Sequence, residues 1–488
     1  MPKFVLLWTD AALWLLVAAG IAYGVFVRRR PNLRQAWRQV HAQAPALASA
    51  VVLAAGLVVA LADSLHFRAL LPPADGAPAG SVAYDTRTQS LLDVLLGRIA
   101  ASRETTYSVP LAYESFTRES VDLGGGRVER IAPRLRYGGA QLADPKTQWR
   151  GDLLRRAGFG LALGVAVAAL IAAAAAALLG RRSRIGWGAA AGRIWRGETE
   201  LPWRAALAIT AVLCMLVFPA AVLSVHYHVF GTDVTGNDVL YQTLKSIRTA
   251  FVIGSLATLA TLPLAVVLGI VAGYLRGWVD ELIQYLYTVL SSIPNILLIA
   301  ACVLMMQVFI DRHPELFETG LERADAKLFL LCAVLGLTGW AGLCRLLRAE
   351  TLKLRELDYV QAAQAFGVGP ARIMARHVFP NTAHLMLIVT VLEFSSLILY
   401  EAVLSYVGVG VDPSMNSFGG MINFARNEMS RDPVVWWPFA AAFVVMVALV
   451  LAANLYADGV RDAFDPRARV FRRRLRPLRR AAAARGAG

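Results

Sequence analysis

Lysine is scarce in this chain: of 49 basic residues only five are lysine, Lys3, Lys146, Lys245, Lys327 and Lys353. A phosphate-binding P-loop needs a lysine followed by Ser or Thr behind a glycine-rich turn, because backbone amides and the lysine share the phosphate charge. Here the lysines follow Pro2, Pro145, Leu244, Ala326 and Leu352, so the chain carries no P-loop. If ATP drives its work, another polypeptide binds it. Cysteine is scarce too. Cys214, Cys302, Cys332 and Cys344 all sit in apolar blocks, with neither metal-ligand spacing nor a disulfide framework, and read as small core residues. Charged residues make up 17% of the chain against 57% hydrophobic ones, and the mean hydropathy is +0.53. A soluble chain of 488 residues would divide into several domains at near-even apolar content.

Instead, the apolar residues fall in blocks near 8–27, 46–63, 157–179, 204–226, 247–274, 282–310, 327–347, 383–409 and 434–457. Most reach about 20 residues, enough to cross roughly 30 Å of hydrocarbon. The chain reads as an all-α, multispanning membrane protein, and its formal charge of +15 is then read first as topology rather than as nucleic-acid binding. The first block is no signal peptide, because Arg28, Arg29 and Arg30 follow the apolar run and only Lys3 precedes it. Arginine bias puts 28–41, 181–204 and the tail from Arg461 in the cytoplasm, and the amino terminus outside. Segment 64–156 is then external. It is too polar to span and too long for a simple connection, with turn signals at Pro72-Pro73 and Gly124-Gly125-Gly126 and an amphipathic helix expected from Ser90 to Ala101.

The most specific pattern is cytoplasmic. Asp358 to Ala365 is a short Ala-rich helix, Gly367-Val368-Gly369 ends it, and a second helix opens with Pro370 and is expected to stop before Pro380. Such a helix-turn-helix between two spans resembles the coupling loop of ABC importer permeases, the Glu-Ala-Ala, Gly and Ile-x-Leu-Pro pattern. Gln361, Ala362, Ala363, Gly367, Phe379 and Pro380 fall at its places, with Gln361 for the usual Glu and His377 for the usual Ile. The run Arg376 to Asn381 is similar to permeases of dipeptide and oligopeptide importers. So is the external motif Gly231, Thr232, Asp233, Gly236 and Asp238, with Asn237 where Arg is usual. The segments from Glu401 to Pro413 and from Asn454 to Arg467 resemble the ends of that family's last two spans.

The resemblance covers about 204–467, and nothing comparable covers 1–200. It implies a six-helix type I permease core at 204–467, with a coupling loop at 355–380. Two helices (1–63), an external subdomain (64–156) and a third helix with a basic linker (157–203) precede it, and a basic tail (468–488) follows. It also implies a bacterial inner-membrane subunit that imports peptides or similar small solutes and is not itself an enzyme. The partners it implies are a second permease, two ATPase subunits carrying ATP and Mg, an external solute-binding protein and membrane lipid. No cofactor, metal or nucleic acid is expected on this chain.

Individual residues admit blander readings. Asp233 and Asp238 in a Gly-rich external loop serve turn chemistry as readily as docking of a binding protein. His226, His228 and Asp233 lack a fourth ligand at suitable spacing for a metal. Pro263 and Pro294 are expected to interrupt spans. Glu393 and Glu401 lie within an apolar span, where a carboxylate is costly and is by default a functional candidate. They would be the ion site of an ion-driven secondary transporter, the alternative reading. A membrane-embedded hydrolase would need a nucleophile and base pair that the spans do not present.

Overall fold

The computed structural model describes residues 3–70, 84–122, 128–317 and 319–464. The turn signals at Pro72-Pro73 and Gly124-Gly125-Gly126 and the tail beyond Phe464, with the 468–488 segment, lie outside the described residues.

A short strand β1 (Lys3–Val5) leads into α1 (Trp8–Arg29), whose apolar run ends on Arg28 and Arg29. Helix α2 (Pro31–His41) opens with proline in its first turn, where a missing N–H costs nothing, and α3 (Ala44–Asp63) follows. Strands β2 (His66–Leu70) and β3 (Tyr84–Ser90) complete an antiparallel sheet in the order β1-β2-β3. The single helix expected from Ser90 to Ala101 is two short ones, α4 (Leu91–Leu95) and α5 (Gly97–Ala101), divided at Leu96-Gly97. A hairpin of β4 (Glu119–Asp122) and β5 (Val128–Ile131) follows. The strands were not expected from the sequence, being too short for alternation to register.

Next come α6 (Pro145–Ser183), α7 (Trp187–Arg196), α8 (Trp203–Ser224), α9 (Val239–Leu275), α10 (Gly277–Ser292), α11 (Asn295–Arg312), α12 (Gly320–Arg355) and α13 (Asp358–Ala365). Helix α14 (Pro370–Ile373) runs through one π turn (Met374–Val378) into α15 (Phe379–Val407). Helices α16 (Phe418–Glu428) and α17 (Trp437–Phe464) close the described chain.

Among the described residues nine helical stretches are long and apolar enough to span a membrane, in the order the hydropathy blocks give. Of the two prolines expected to interrupt spans, Pro294 does so and Pro263 does not. The block at 282–310 is broken into α10 and α11 because Ile293, ahead of Pro294, is extended at φ −91° and ψ 132°, as the clash with a following proline ring favours. Pro263, by contrast, sits inside an unbroken α9.

Helices α9 and α12 form the centre: 56% of the apolar window of each is buried, against 11% for α6 and α8. Small residues let the central pair approach. A Cβ on Gly269 would stand 2.8 Å from the Cys344 carbonyl oxygen, and one on Gly273 would stand 2.6 Å from the Thr351 Cβ. Peripherally, Gly160 and Gly164 of α6 lie against Pro219 and Cys214 of α8 in the same manner.

The amino-terminal helices are fastened to this centre by buried charge. Arg248 of α9 donates to Asp10 of α1 at 2.5 Å (Nη2) and 3.2 Å (Nε), and lies 3.6 Å from Asp325 of α12. Thr9 donates its backbone N–H to Asp325 at 3.1 Å, and His66 of β2 bonds Asp10 at 2.7 Å. One turn outward, Lys245 reaches Asp93 at 2.7 Å and Asp63 at 3.2 Å. These contacts join α1, α3, α4 and β2 to α9 and α12. Removing one member of such a buried set leaves uncompensated charge, which costs about 3–5 kcal/mol. Arg248→Met therefore lowers the melting temperature of the detergent-purified protein markedly, while Arg431→Met, at an exposed pair, leaves it within error; equal melting curves for the two would refute the fastening.

Candidate functional site: a helix-turn-helix and a roofed external loop

Helix α13 is anchored on its inner side and bare on its outer side. Val360 is fully buried, Ala363 packs against the cluster formed by α9, α10 and α12, and Gln364 donates to the Tyr274 hydroxyl at 2.9 Å. Gln361, Ala362 and Pro380 are exposed, and Phe366 at the tip is 87% exposed. The turn is a left-handed helix cap: Gly367 has φ +75°, the Gly367 N–H donates to the Gln364 carbonyl at 2.9 Å and the Val368 N–H to the Ala363 carbonyl at 3.1 Å. A Cβ there would meet nothing within 4 Å, so glycine is required by conformation and not by space.

The expectation that the second helix stops before Pro380 is overturned. Pro380 falls in the first turn of α15, and the π turn just before it lets the helix continue into the membrane span. The helix-turn-helix is thus rigidly continuous with the span α14–α15. Sequence reasoning passed over Phe366, although an aromatic residue at the tip of a polar loop was there to be weighed.

The external motif is not an open loop. Gly231 and Gly236 adopt φ +71° and +78°, and a Cβ on either would run into the carbonyl oxygen of Ser108 or Glu104. Thr232 is buried: it accepts from the Ser108 N–H at 2.7 Å and donates to the Thr106 carbonyl at 2.8 Å. Asp238 caps α9 by accepting from the Leu240 N–H at 2.8 Å, and its other oxygen bonds His228 at 2.7 Å. Asp233 accepts from the Thr235 and Asn237 N–H groups and from Gln242, which is turn chemistry throughout. Residues 104–108 of the amino-terminal region therefore roof Thr232, Gly236 and Asp238, and Asp233 alone of the motif carboxylates reaches a neighbouring cavity. That cavity, about 760 Å³, lies between Tyr107, the 233–242 segment and α16.

His228 sits between two carboxylates and not near a metal site; among the described residues no group of His, Cys, Asp and Glu could hold an ion. His226 turns away to Arg156 at 3.1 Å. Burial opposes charge on Glu104, but hydrogen bonds from His228 and from the Tyr137, Arg136 and Gly138 amides outweigh it and bring its pKa down to about 2. Burial likewise opposes charge on His228, and bonds to Asp238 and Glu104 overcome it, raising its pKa to about 9.

Glu401 is buried, accepts from the Ser405 hydroxyl at 2.7 Å and is bonded further by Ser417 and the Gly419 amide. It pins α15 to α16 inside this chain. Glu393 is half-buried two turns away, and none of the groups that bond Glu401 bonds it. An ion site built from both finds no support in this arrangement.

With that geometry in hand, comparison is informative. The family model described as "Binding-protein-dependent transport system inner membrane component" matches residues 265–470. The oligopeptide transport system permease protein OppC of Mycobacterium tuberculosis is 31% identical over 249 residues, covering 51% of this chain and 79% of that one. The chain belongs to the family of binding-protein-dependent transport system inner membrane components. OppC of Haemophilus influenzae is 30% identical over 243 residues, with 50% of this chain and 71% of that one covered. The glutathione transport system permease protein GsiD of Pectobacterium atrosepticum is 32% identical over 241 residues, covering 49% and 73%. As a member of this family, the chain is a multi-pass inner-membrane transport permease with the all-α fold that the resemblance implied. The family match begins at residue 265, well beyond the amino-terminal helices and the roof they supply.

The roof has a defined pH window. His228, with its pKa raised from 6.5 to about 9, stabilises the folded loop fully below pH 6.5, and the contribution is lost as pH rises through 9. Glu104, lowered from 4.5 to about 2, contributes above pH 4.5 and is lost as pH falls through 2. Hydrogen exchange of the 228–238 amides, corrected for intrinsic rates, is therefore slowest between pH 4.5 and 6.5 and quickens towards pH 9; His228→Gln abolishes the quickening. A pH-independent protection in the native protein would contradict the assignment.

Proposed function

We propose that this chain is one membrane subunit of an ABC importer for peptides or similar small solutes. It would work with a second permease, two ATPase subunits and an external solute-binding protein. The names of its relatives support the solute class, and the absence of a P-loop lysine supports an ATPase on other chains. The observation that carries the reading is the exposed Phe366 tip on an anchored helix that continues stiffly into a span. A rigid lever of this kind transmits ATPase closure to the helix bundle as rigid-body motion, opening the solute path to alternate sides. The amino terminus is then external and the carboxyl terminus cytoplasmic, in accord with the arginines of 28–41 and 181–204 on the side of the lever.

We further assign the roof and the neighbouring α4 to contact with the binding protein, since Val94 and Leu95 stand 52% and 69% exposed on the helix whose Asp93 bonds Tyr241 at the head of α9. Deleting 1–195 is a poor test, because it orphans Lys245 and leaves Arg248 only the more distant Asp325. A photo-crosslinking residue at Leu95 is a direct one: it captures the binding protein in the assembled transporter, and the absence of any such adduct would remove the assignment.

Two substitutions test the lever. Gly367→Val forces a β-branched residue to positive φ, a strain of about 1–3 kcal/mol. Ala362→Trp adds bulk on the exposed face, whereas Ala363→Trp would disturb this subunit's own packing and is less discriminating. Both Gly367→Val and Ala362→Trp leave the protein in the membrane but lower solute transported per ATP hydrolysed by about fivefold or more. Transport at the native ratio in reconstituted vesicles, with the ATPases still bound, would sink the proposal.

A further inference from the structure

Two arginine-rich segments that are far apart in sequence converge on the lever side of the membrane. Helix α2 and the linker preceding α8 meet through the ion pair of Arg38 with Glu200. Together 28–38 and 181–204 carry eleven arginines, all exposed, and only two acids, Glu198 and Glu200. Apart from Arg38, none of these arginines pairs with a carboxylate among the described residues. Helix α17 packs on α2 through Val460, Ala463 and Phe464, which brings Asp458 and Asp462 to the same side together with Arg461, and two more acids are fewer than the arginine excess. We propose that this surface is a binding site for the headgroups of anionic phospholipids in the adjacent leaflet.

Topology alone would explain basic residues near span ends, but it does not call for the geometry of α7. That helix turns Ala190 and Ile194 inward, leaves Trp187 and Trp195 exposed at 59% and 79% on one flank, and places Arg193 and Arg196 on the opposite flank. Arg204 lies over the Trp195 ring at 5.9 Å, so the cation and the indole are held together. An amphipathic helix with tryptophan on one flank and arginine on the other lies in the plane of an interface: the indoles enter the acyl boundary while the guanidinium groups meet phosphate. Arginine also suits phosphate better than lysine does, because its planar fork makes two parallel bonds to phosphate oxygens. Indole burial separates a lipid from free phosphate, since an inorganic anion would leave Trp187 and Trp195 uncovered in water.

The site is tested on the full chain in nanodiscs of mixed phosphatidylcholine and phosphatidylglycerol, by native mass spectrometry of the retained lipids. Phosphatidylglycerol is enriched over its bulk share in the native protein. Arg193→Gln combined with Arg196→Gln reduces that enrichment by about fivefold or more, and Arg193→Lys with Arg196→Lys, which keeps the charge but loses the paired bonds, gives an enrichment between those of the native protein and the glutamine pair. The glutamine pair leaves Arg181, Arg182 and Arg184 to hold topology, and protease mapping of the 64–156 segment verifies that the chain is inserted as in the native protein. Equal enrichment in the glutamine pair, or none in the native protein, would overturn the proposal. Displacement of the lipid by millimolar inorganic phosphate would also overturn it, since the site would then read phosphate without the membrane.

Discussion

A guanidinium held in the protein interior dictates much of this architecture. Arg248 has no water to satisfy it, so its helix must find carboxylates, and it finds them on α1 and α12 at once. That requirement places the first helix of the chain against the two central helices of the permease. The small residues that let α9 and α12 pack closely then define the centre, and Lys245 extends the same logic outward to Asp63 and Asp93. The amino-terminal region is thereby incorporated into the permease bundle rather than tethered beside it.

The consequence for function is spatial. By fixing α3 and α4 near the head of α9, the buried charges bring residues 104–108 over the external loop, where Glu104 and His228 close the contact. A family motif that the sequence presents as an open, Gly-rich loop is therefore an interior seam. On the opposite side of the membrane the described residues supply no such cover, and among them the helix-turn-helix stands free with its aromatic tip outward. The two faces differ in the way a subunit should if one is already occupied by its own chain and the other is reserved for a partner.

How much of this the residues announced depends on the range of the interaction. The spans were legible because 20-odd consecutive apolar residues have few alternatives, and the turn at Gly367 was legible because Ala-rich helix, glycine and proline follow one another locally. Pro380 was misread because a π turn supplied by its neighbours absorbs a residue that ordinarily ends a helix. The Arg248 to Asp10 pairing joins positions 238 apart and leaves no local trace, so nothing in either segment reported it. Gly160 and Gly164, four apart in an apolar run, were a readable sign of close helix packing that went unused. Glu401 stands out in the sequence as a carboxylate within a span, but only its surroundings, Ser405, Ser417 and the Gly419 amide, distinguish a structural pin from an ion site.

The claim on which the account rests is that the amino-terminal region is a built part of the permease, and it can be tested by opening the chain. Co-expressing residues 1–197 and 198–488 as separate pieces cuts the exposed linker between α7 and α8 while leaving every described buried ion pair intact. The account predicts that an affinity tag on the second piece retains the first through mild-detergent purification, and that Arg248→Met lowers the retained amount. Recovery of a folded 198–488 piece free of the first, from membranes containing both, would contradict it.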